Sequence, residues 1–469
     1  MEIVIPTNQR PEILKEALVS FIQYLKNSSR AAKITILDDS RDSVSAAANR
    51  DLCAGLAGTF GGSLRCFGRA EREALSDRFN NSSRSSLFEF ALGLPETVVT
   101  GHPGANRNVG LLLYAGRKVL SLDDDVRFRF LRFRDANGFA GNDDGIPLLL
   151  PLGSRKRLDK LTVPADWNPD TIDTVLGSSP SSVDHNGPVK LAMCGIYGGR
   201  WYTNPFSLCA VPSNLSGQIW RGKKEYETAR TEPWALMLNP EISFSGAPFF
   251  VSTCFAYDGS ELLPPFLPGI RSSDSLWAWM LRALYPESPI CHLPRAIEHD
   301  RSIKRPFAGN DFTGIVPGTS EIMLQLLRFI QSGIPGTPDA AGVLYALGTG
   351  LSRYAGEPLK RRREILTELY LASLGGRLGV FRQGLEESRG KPRFWAEDLE
   401  LHIRLLRNEA REARPWLPRE FRNPGGEVEE ELDEEAFREY LAHCGELLCA
   451  WPEIWRKAAD LNRRGGPGP

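Results

Sequence analysis

Three things are missing from this chain, and each absence narrows its class. No run of roughly 18 to 20 uninterrupted apolar residues occurs, the length that a membrane-spanning helix needs. No CxxC pair occurs among the eight cysteines, so neither a zinc site nor a disulfide framework is indicated, and the thiols read as reduced and mostly buried. Neither sign of charge is in excess. The 57 Lys and Arg against 58 Asp and Glu leave a formal net charge of -1, with no global pull toward nucleic acid or an anionic membrane surface. The first residues, Met1 to Pro6, enter a β-type run at once instead of the pattern of a signal peptide, so a cytoplasmic protein is expected.

What is present suits a soluble α/β protein. With 469 residues, 42% hydrophobic and 25% charged, the chain has material for two or three domains. Ile3–Ile5 is a short β-type run. Pro11 fits the first position of a helix, and Ile13, Leu14, Ala17, Leu18, Phe21, Ile22 and Leu25 recur at spacings of three and four. Ile34–Leu37 reads as a second strand, ending in Asp38, Asp39 and Ser40. A Gly-rich piece (55–68) and a Ser-rich piece (76–86) precede a short helix over Leu87–Leu94. Gly104–Asn108 opens a helix that runs through Leu113 to Arg117 and feeds the apolar run Lys118–Leu122. Such alternation predicts a mostly parallel, doubly wound sheet flanked by helices.

That last run closes in three consecutive carboxylates, Asp123, Asp124 and Asp125. A short apolar run bounded by polar residues reads as a buried strand, which puts the triplet at the carboxyl end, where open α/β sheets place their ligands. Three anions at one strand end repel unless a cation neutralises them, and oxygen ligands suit Mg2+ or Mn2+ held with a ligand's phosphates. The plain alternative is a solvated acidic turn. Asp38 and Asp39 are acceptors for hydroxyl or ring N–H donors; Asp38 could equally bond its own turn.

Taken in order, Ile5–Pro11, Ile36–Ser40, Gly104–Asn108 and Leu122–Asp125 resemble the nucleotide-binding half of family 2-like glycosyltransferases with the GT-A fold. The resemblance implies nucleotide contacts from Pro6, Thr7, Asn8, Arg10, Asp39, Arg107, Asp123 and Asp124, and a metal ligand in Asp125. The family often carries a Tyr after Pro-Thr; Asn8 stands here, so a stack on the base is lost. Farther along, Phe249–Ser252 is strand-like, Leu262–Pro268 is a proline-fixed loop, and Arg271–Asp274 leads into the apolar helix Ser275–Leu281. Asp274 is a natural helix cap. By the resemblance it is also the general base, Ser273 having replaced the first acid of the family's pair; Arg271, three residues before it, could orient that carboxylate or touch a phosphate. The resemblance further implies that His299 completes the metal site, with His292 the lesser candidate; the two are too far apart for one helical chelate.

Residues 128–247 carry Trp167, Trp201, Tyr202, Trp220 and Trp234, which stack on sugar rings or fill a core. Gly195–Gly199 lacks P-loop or dinucleotide spacing and reads as a turn. Ile322–Ile330, Val343–Leu351, 357–374 and 394–414 read as helices, and Asn462–Pro469 as a disordered tail. Arg361–Arg363 reads as a solvated helical face or a phosphate contact.

The reading is a GT-A domain over 1–312, split into a nucleotide-binding half (1–127) and an acceptor-binding half (128–312), followed by an α-helical C-terminal domain over 313–469. The expected activity is inverting transfer of a sugar from a nucleotide-diphosphate donor to a small-molecule, peptide or glycan acceptor, with Mn2+ or Mg2+ as cofactor. No nucleic acid and no membrane span are expected, and the C-terminal helices offer a route to a homo-oligomer. Two alternatives remain open at this point. A sugar-nucleotide nucleotidyltransferase would want a glycine-bearing loop after the first strand, which Thr7–Arg10 lacks. A catalytically silent binding protein of the same fold is favoured by Ser273 and opposed by retention of the Asp triplet, Asp274 and His299.

Overall fold

The computed structural model describes residues 2–27, 32–58, 60, 62–79, 85–94, 103–136, 144–152, 154–167, 169–180, 186–199, 222–231, 234–269, 273–300, 317–334, 336, 339–387, 393–411 and 430–464. Arg271, Trp201, Tyr202 and Trp220 lie outside them, as does the boundary near 312.

The N-terminal part alternates as the sequence predicts: β1 (Glu2–Thr7), α1 (Pro11–Asn27), β2 (Lys33–Asp38), α2 (Ser43–Ala57), β3 (Ser63–Phe67), α3 (Arg69–Phe79), α4 (Ser85–Leu92), α5 (Pro103–Leu113) and β4 (Lys118–Leu122). α1 starts at Pro11 and buries Leu14, Ala17, Leu18, Phe21, Ile22 and Leu25, the stripe that its spacing marks out. Next come β5 (Val126–Phe133), β6 (Leu148–Pro151), α6 (Arg155–Leu161), β7 (Thr162–Ala165), α7 (Pro169–Val175), β8 (Leu191–Gly199) and α8 (Lys223–Thr231). β9 (Ala235–Leu238), β10 (Ser243–Ser245), β11 (Cys254–Asp258), α9 (Ser273–Leu284) and β12 (Ile290–Asp300) complete this part. The C-terminal region is helical: α10 (Thr319–Ser332), α11 (Ala340–Ala355), α12 (Leu359–Glu387), α13 (Arg393–Glu409) and α14 (Glu430–Arg463).

Among the described residues, twelve strands form one mixed sheet, in the order β3-β2-β1-β4-β11-β8-β12-β5-β7, with β10 on β12 and β9 joining β8 to β6. The four strands of the N-terminal half pair in parallel, as do β8 and β12. The other ladders are antiparallel. Thr7 stands opposite Asp38, and the carboxyl ends of β1, β2 and β4 share one edge. One hydrophobic cluster fills the face under α1. A larger one fills the opposite face and continues without a break from Val4, Leu37 and Val109 through Trp277 and Leu344 to Trp451 of α14.

Two local readings are corrected. Gly195–Gly199 is no turn but the second half of β8. A Cβ on Gly195 would strike the Met237 carbonyl of β9, and Gly198, at φ +135, lies against the His299 backbone of β12. The glycines are there because backbones crowd both sides of the strand. Phe249–Ser252 is irregular and precedes β11, its last backbone N–H being used by a side chain across the cleft. The longest described helix, α14, has Pro452 inside it and buries Phe437, Tyr440, Leu441, Cys444, Leu447, Leu448, Trp451 and Trp455 at spacings of three and four, a stripe that the sequence reading passed over. The described cysteines are free, in keeping with their scatter. Among the described residues no helix is long and apolar enough to cross a membrane.

Candidate functional site

The turn after β1 forms one wall of a cleft at the carboxyl edge of the parallel strands. Gln9 adopts a left-handed φ of 54, uncommon for a residue other than glycine, and its N–H donates to Ser40 Oγ at 2.9 Å. The Asp39 N–H donates to the Thr7 carbonyl at 3.0 Å, stitching the ends of β1 and β2 together. Arg10 is thereby turned back over the acids that follow β4.

The three acids diverge in their roles. Asp124 is 1% exposed and points inward, accepting from Thr7 Oγ1 at 2.6 Å and pairing with Arg10 Nη2 at 2.8 Å. Burial pushes its carboxyl up to about 7, with Arg10 opposing and Asp125 adding to the rise. Asp125 faces Arg10 Nη1 across 3.4 Å on Oδ2, and on Oδ1 it faces His299 Nε2 across 3.2 Å. His299, 2% exposed, reaches it because β12 pairs with β5 so that His299 stands opposite Val126. A bulge between Ile297 and Glu298 sets that register. Asp123 keeps 24% of its side chain open and is held at 3.0 Å by Arg107 Nη2. Burial pushes its carboxyl upward, Arg107 opposing and Asp125 and Asp274 reinforcing.

Asp123, Asp125 and His299 bring one ligand atom each to within 4.8 Å of one another. Two carboxylates and an imidazole form a donor set acceptable to Mn2+. Metal bonds of about 2.1 Å at right angles put neighbouring donors about 3 Å apart, and Asp125 Oδ1 and His299 Nε2 already stand at 3.2 Å. The residues therefore fit a divalent cation.

Arg107 connects this cluster to the far wall. The same Nη2 donates at 2.6 Å to Ser252 Oγ, and its guanidinium lies 5.7 and 5.8 Å from the rings of Phe255 and Phe266. Ser252 then grips Asp274: its N–H donates to Oδ2 at 3.1 Å and its hydroxyl donates to the same oxygen at 2.8 Å. Asp274 lies in the first turn of α9, half-buried, so it ties the helix start to the cleft wall and presents a carboxylate at once. A continuous chain of polar contacts thus runs from Asp123 through Arg107 and Ser252 to Asp274.

On the opposite side, Asp39 meets a cation that sequence reasoning passed over. Arg72 of α3, 2% exposed, donates to Asp39 Oδ1 at 2.9 Å, to the Asp38 carbonyl at 2.9 Å and to Asn106 Oδ1 at 2.8 Å. Asn106 in turn donates to the Leu37 and Thr7 carbonyls. Burial pushes the Asp39 carboxyl up while Arg72 pulls it down. Asp38 turns away, accepting from Ser40 and Asn49 as a turn former would. Pro6 lines a small hollow with Arg107 and Phe266; Asn8 is half-buried and its Oδ1 has no hydrogen-bond partner.

No family model matches this chain, and no curated protein does. The cleft therefore stands on its own geometry: it gathers Thr7, Arg10, Asp39, Arg107, all three acids, Asp274 and His299, and it leaves His292 out. His292 is buried in β12 with neither ring nitrogen partnered, and burial pushes its pKa down to about 3. Trp167 joins Phe128 and Phe130 in the core, stacked on Phe130 at 5.7 Å. Ser252, Asn106 and Arg72 were given no role from sequence, because what each side chain bonds is set by elements far from it in the chain.

Proposed function

We propose that this chain is a metal-dependent, inverting glycosyltransferase of the GT-A type, acting on a nucleotide-diphosphate sugar. One observation carries the reading. The Asp123, Asp125 and His299 ligand set and the Asp274 carboxylate lie in one cleft at the carboxyl edge of parallel strands, joined by Arg107 and Ser252. A divalent cation held there would offset the charge of a departing diphosphate. Asp39, fixed by Arg72, accepts a hydrogen bond from a base N–H or a ribose hydroxyl, since an ionised carboxylate only accepts. Arg107 and Arg10 bring positive charge to the phosphate side of the cleft. Asp274, held through Oδ2, takes the proton of the acceptor hydroxyl as that oxygen attacks the anomeric carbon from the face opposite the leaving group.

Thermal melting across UDP, GDP, dTDP and CDP nucleotides, each with and without Mn2+, tests this directly. At least one nucleotide should raise the midpoint, and more strongly with Mn2+. No stabilisation by any of them would remove the basis of the reading. With the responding donor, Asp274→Asn should keep the melting shift and lose transfer by about a hundredfold or more.

A further inference from the structure

The two oxygens of Asp125 are engaged from opposite sides. Oδ1 faces His299 Nε2 at 3.2 Å, while Oδ2 faces Arg10 Nη1 at 3.4 Å. Arg10 is not a loose surface cation, although 38% of its side chain is exposed. Its other terminal nitrogen, Nη2, forms an ion pair with Asp124 Oδ1 at 2.8 Å, and that carboxylate is held in the interior by the Thr7 hydroxyl at 2.6 Å. The guanidinium is a rigid planar fork, so a fixed first prong fixes the second. Thr7, Asp124 and Arg10 therefore form a brace that ends on one oxygen of the candidate metal ligand.

We infer that Arg10 is the specificity-determining residue of the metal centre: by occupying Oδ2 it limits Asp125 to a single oxygen and so selects a small octahedral cation over Ca2+. Mg2+ demands near-ideal octahedral geometry and commonly takes one oxygen per carboxylate, and Mn2+ shares its octahedral oxygen sites. Ca2+ takes six to eight oxygens at longer range and often chelates a carboxylate through both. A centre with two carboxylates and one imidazole, one carboxylate restricted to a single oxygen, offers Ca2+ too few donors. Partners outside the ligand set commonly set metal affinity by about 10- to 100-fold, and here the same device acts on the choice of ion.

The inference rests on the metal-centre reading, and the test tells a failure of the one from a failure of the other. The full-length protein is titrated with Mn2+ and free Mn2+ followed by electron paramagnetic resonance; Mg2+ and Ca2+ affinities come from displacement. Wild type should take up Mn2+, and Ca2+ should displace it poorly. Arg10→Met, which keeps bulk and loses the fork, should lower the ratio of Mn2+ to Ca2+ affinity by about tenfold or more. Arg10→Lys, which keeps the charge without the second prong, should fall between. If Arg10→Met raises both affinities by one common factor, the residue acts only as a charge and the inference is overturned while the centre stands. If wild type takes up no Mn2+, or if uptake persists in Asp125→Asn, the centre fails and the inference with it.

Discussion

At the scale of single residues, the cleft is held by buried cations whose removal leaves anions without a partner. Arg72 is the clearest case, since its guanidinium serves Asp39, a backbone carbonyl and Asn106 together. Arg72→Met should cost about 3–5 kcal/mol in chemical denaturation, because it strands a largely buried carboxylate. Adding Asp39→Asn should recover part of that loss; strict additivity would show that the pair does not act as a unit. His292 gives a pH signature. It is neutral in the fold down to about pH 3, whereas an unfolded histidine protonates near its ordinary value of 6.5. Its contribution to stability is therefore complete above about pH 6.5 and declines by about 1.4 kcal/mol per unit as pH falls toward 3. His292→Leu should flatten that limb of a stability-versus-pH curve, and an unchanged slope would place the proton uptake elsewhere. Asp123, Asp125 and His299 were legible because a strand end and a resemblance pointed to them. Arg72 was not: it lies in a helix start rich in charge (Arg69, Glu71, Glu73), where an arginine looks solvated until tertiary packing closes over it.

At the scale of elements, most strands and helices with regular apolar spacing were readable from sequence, α14 being passed over despite its own, and a strand shaped by backbone crowding was not. β1, α1, β2 and β4 fall into the first class; β8, with its closing glycines, falls into the second. α11 and α14 show the same crowding between helices. They cross at Gly348 and Gly445, and a Cβ on Gly445 would meet the Gly348 carbonyl and the Ser352 N–H. Gly445→Ala should destabilise by about 1–3 kcal/mol through overpacking. Gly375→Ala, in the exposed part of α12 with open space around it, should stabilise by about 0.5–1 kcal/mol from helix propensity alone. The paired variants have opposite expected signs, so urea midpoints decide the matter; a neutral Gly445→Ala would mean that the helices do not cross there.

At the scale of the whole molecule, the C-terminal helices are part of the support for the cleft. The Leu262–Pro268 segment leads to the start of α9, and it is gripped on all sides. Tyr440 of α14 donates to the Pro268 carbonyl at 2.9 Å, and the Trp451 indole donates to Leu263 at 2.7 Å. Trp277 donates to Pro264 at 2.8 Å, and Asn108 brackets Phe266 through both its amide groups. With the hydrophobic cluster unbroken from sheet to α14, calorimetry should record one unfolding transition with calorimetric and van't Hoff enthalpies in agreement. Two resolved transitions would show that the helical region folds apart from the sheet. The two indoles on the loop backbone also give the cleft an optical reporter of its own. Indole emission shifts when its N–H partner moves, so a ligand that displaces the Leu262–Pro268 segment would change the intrinsic fluorescence without any label. Subtracting the signals of Trp277→Phe and Trp451→Phe from that of the parent, which holds 10 tryptophans, would isolate the two that watch the loop.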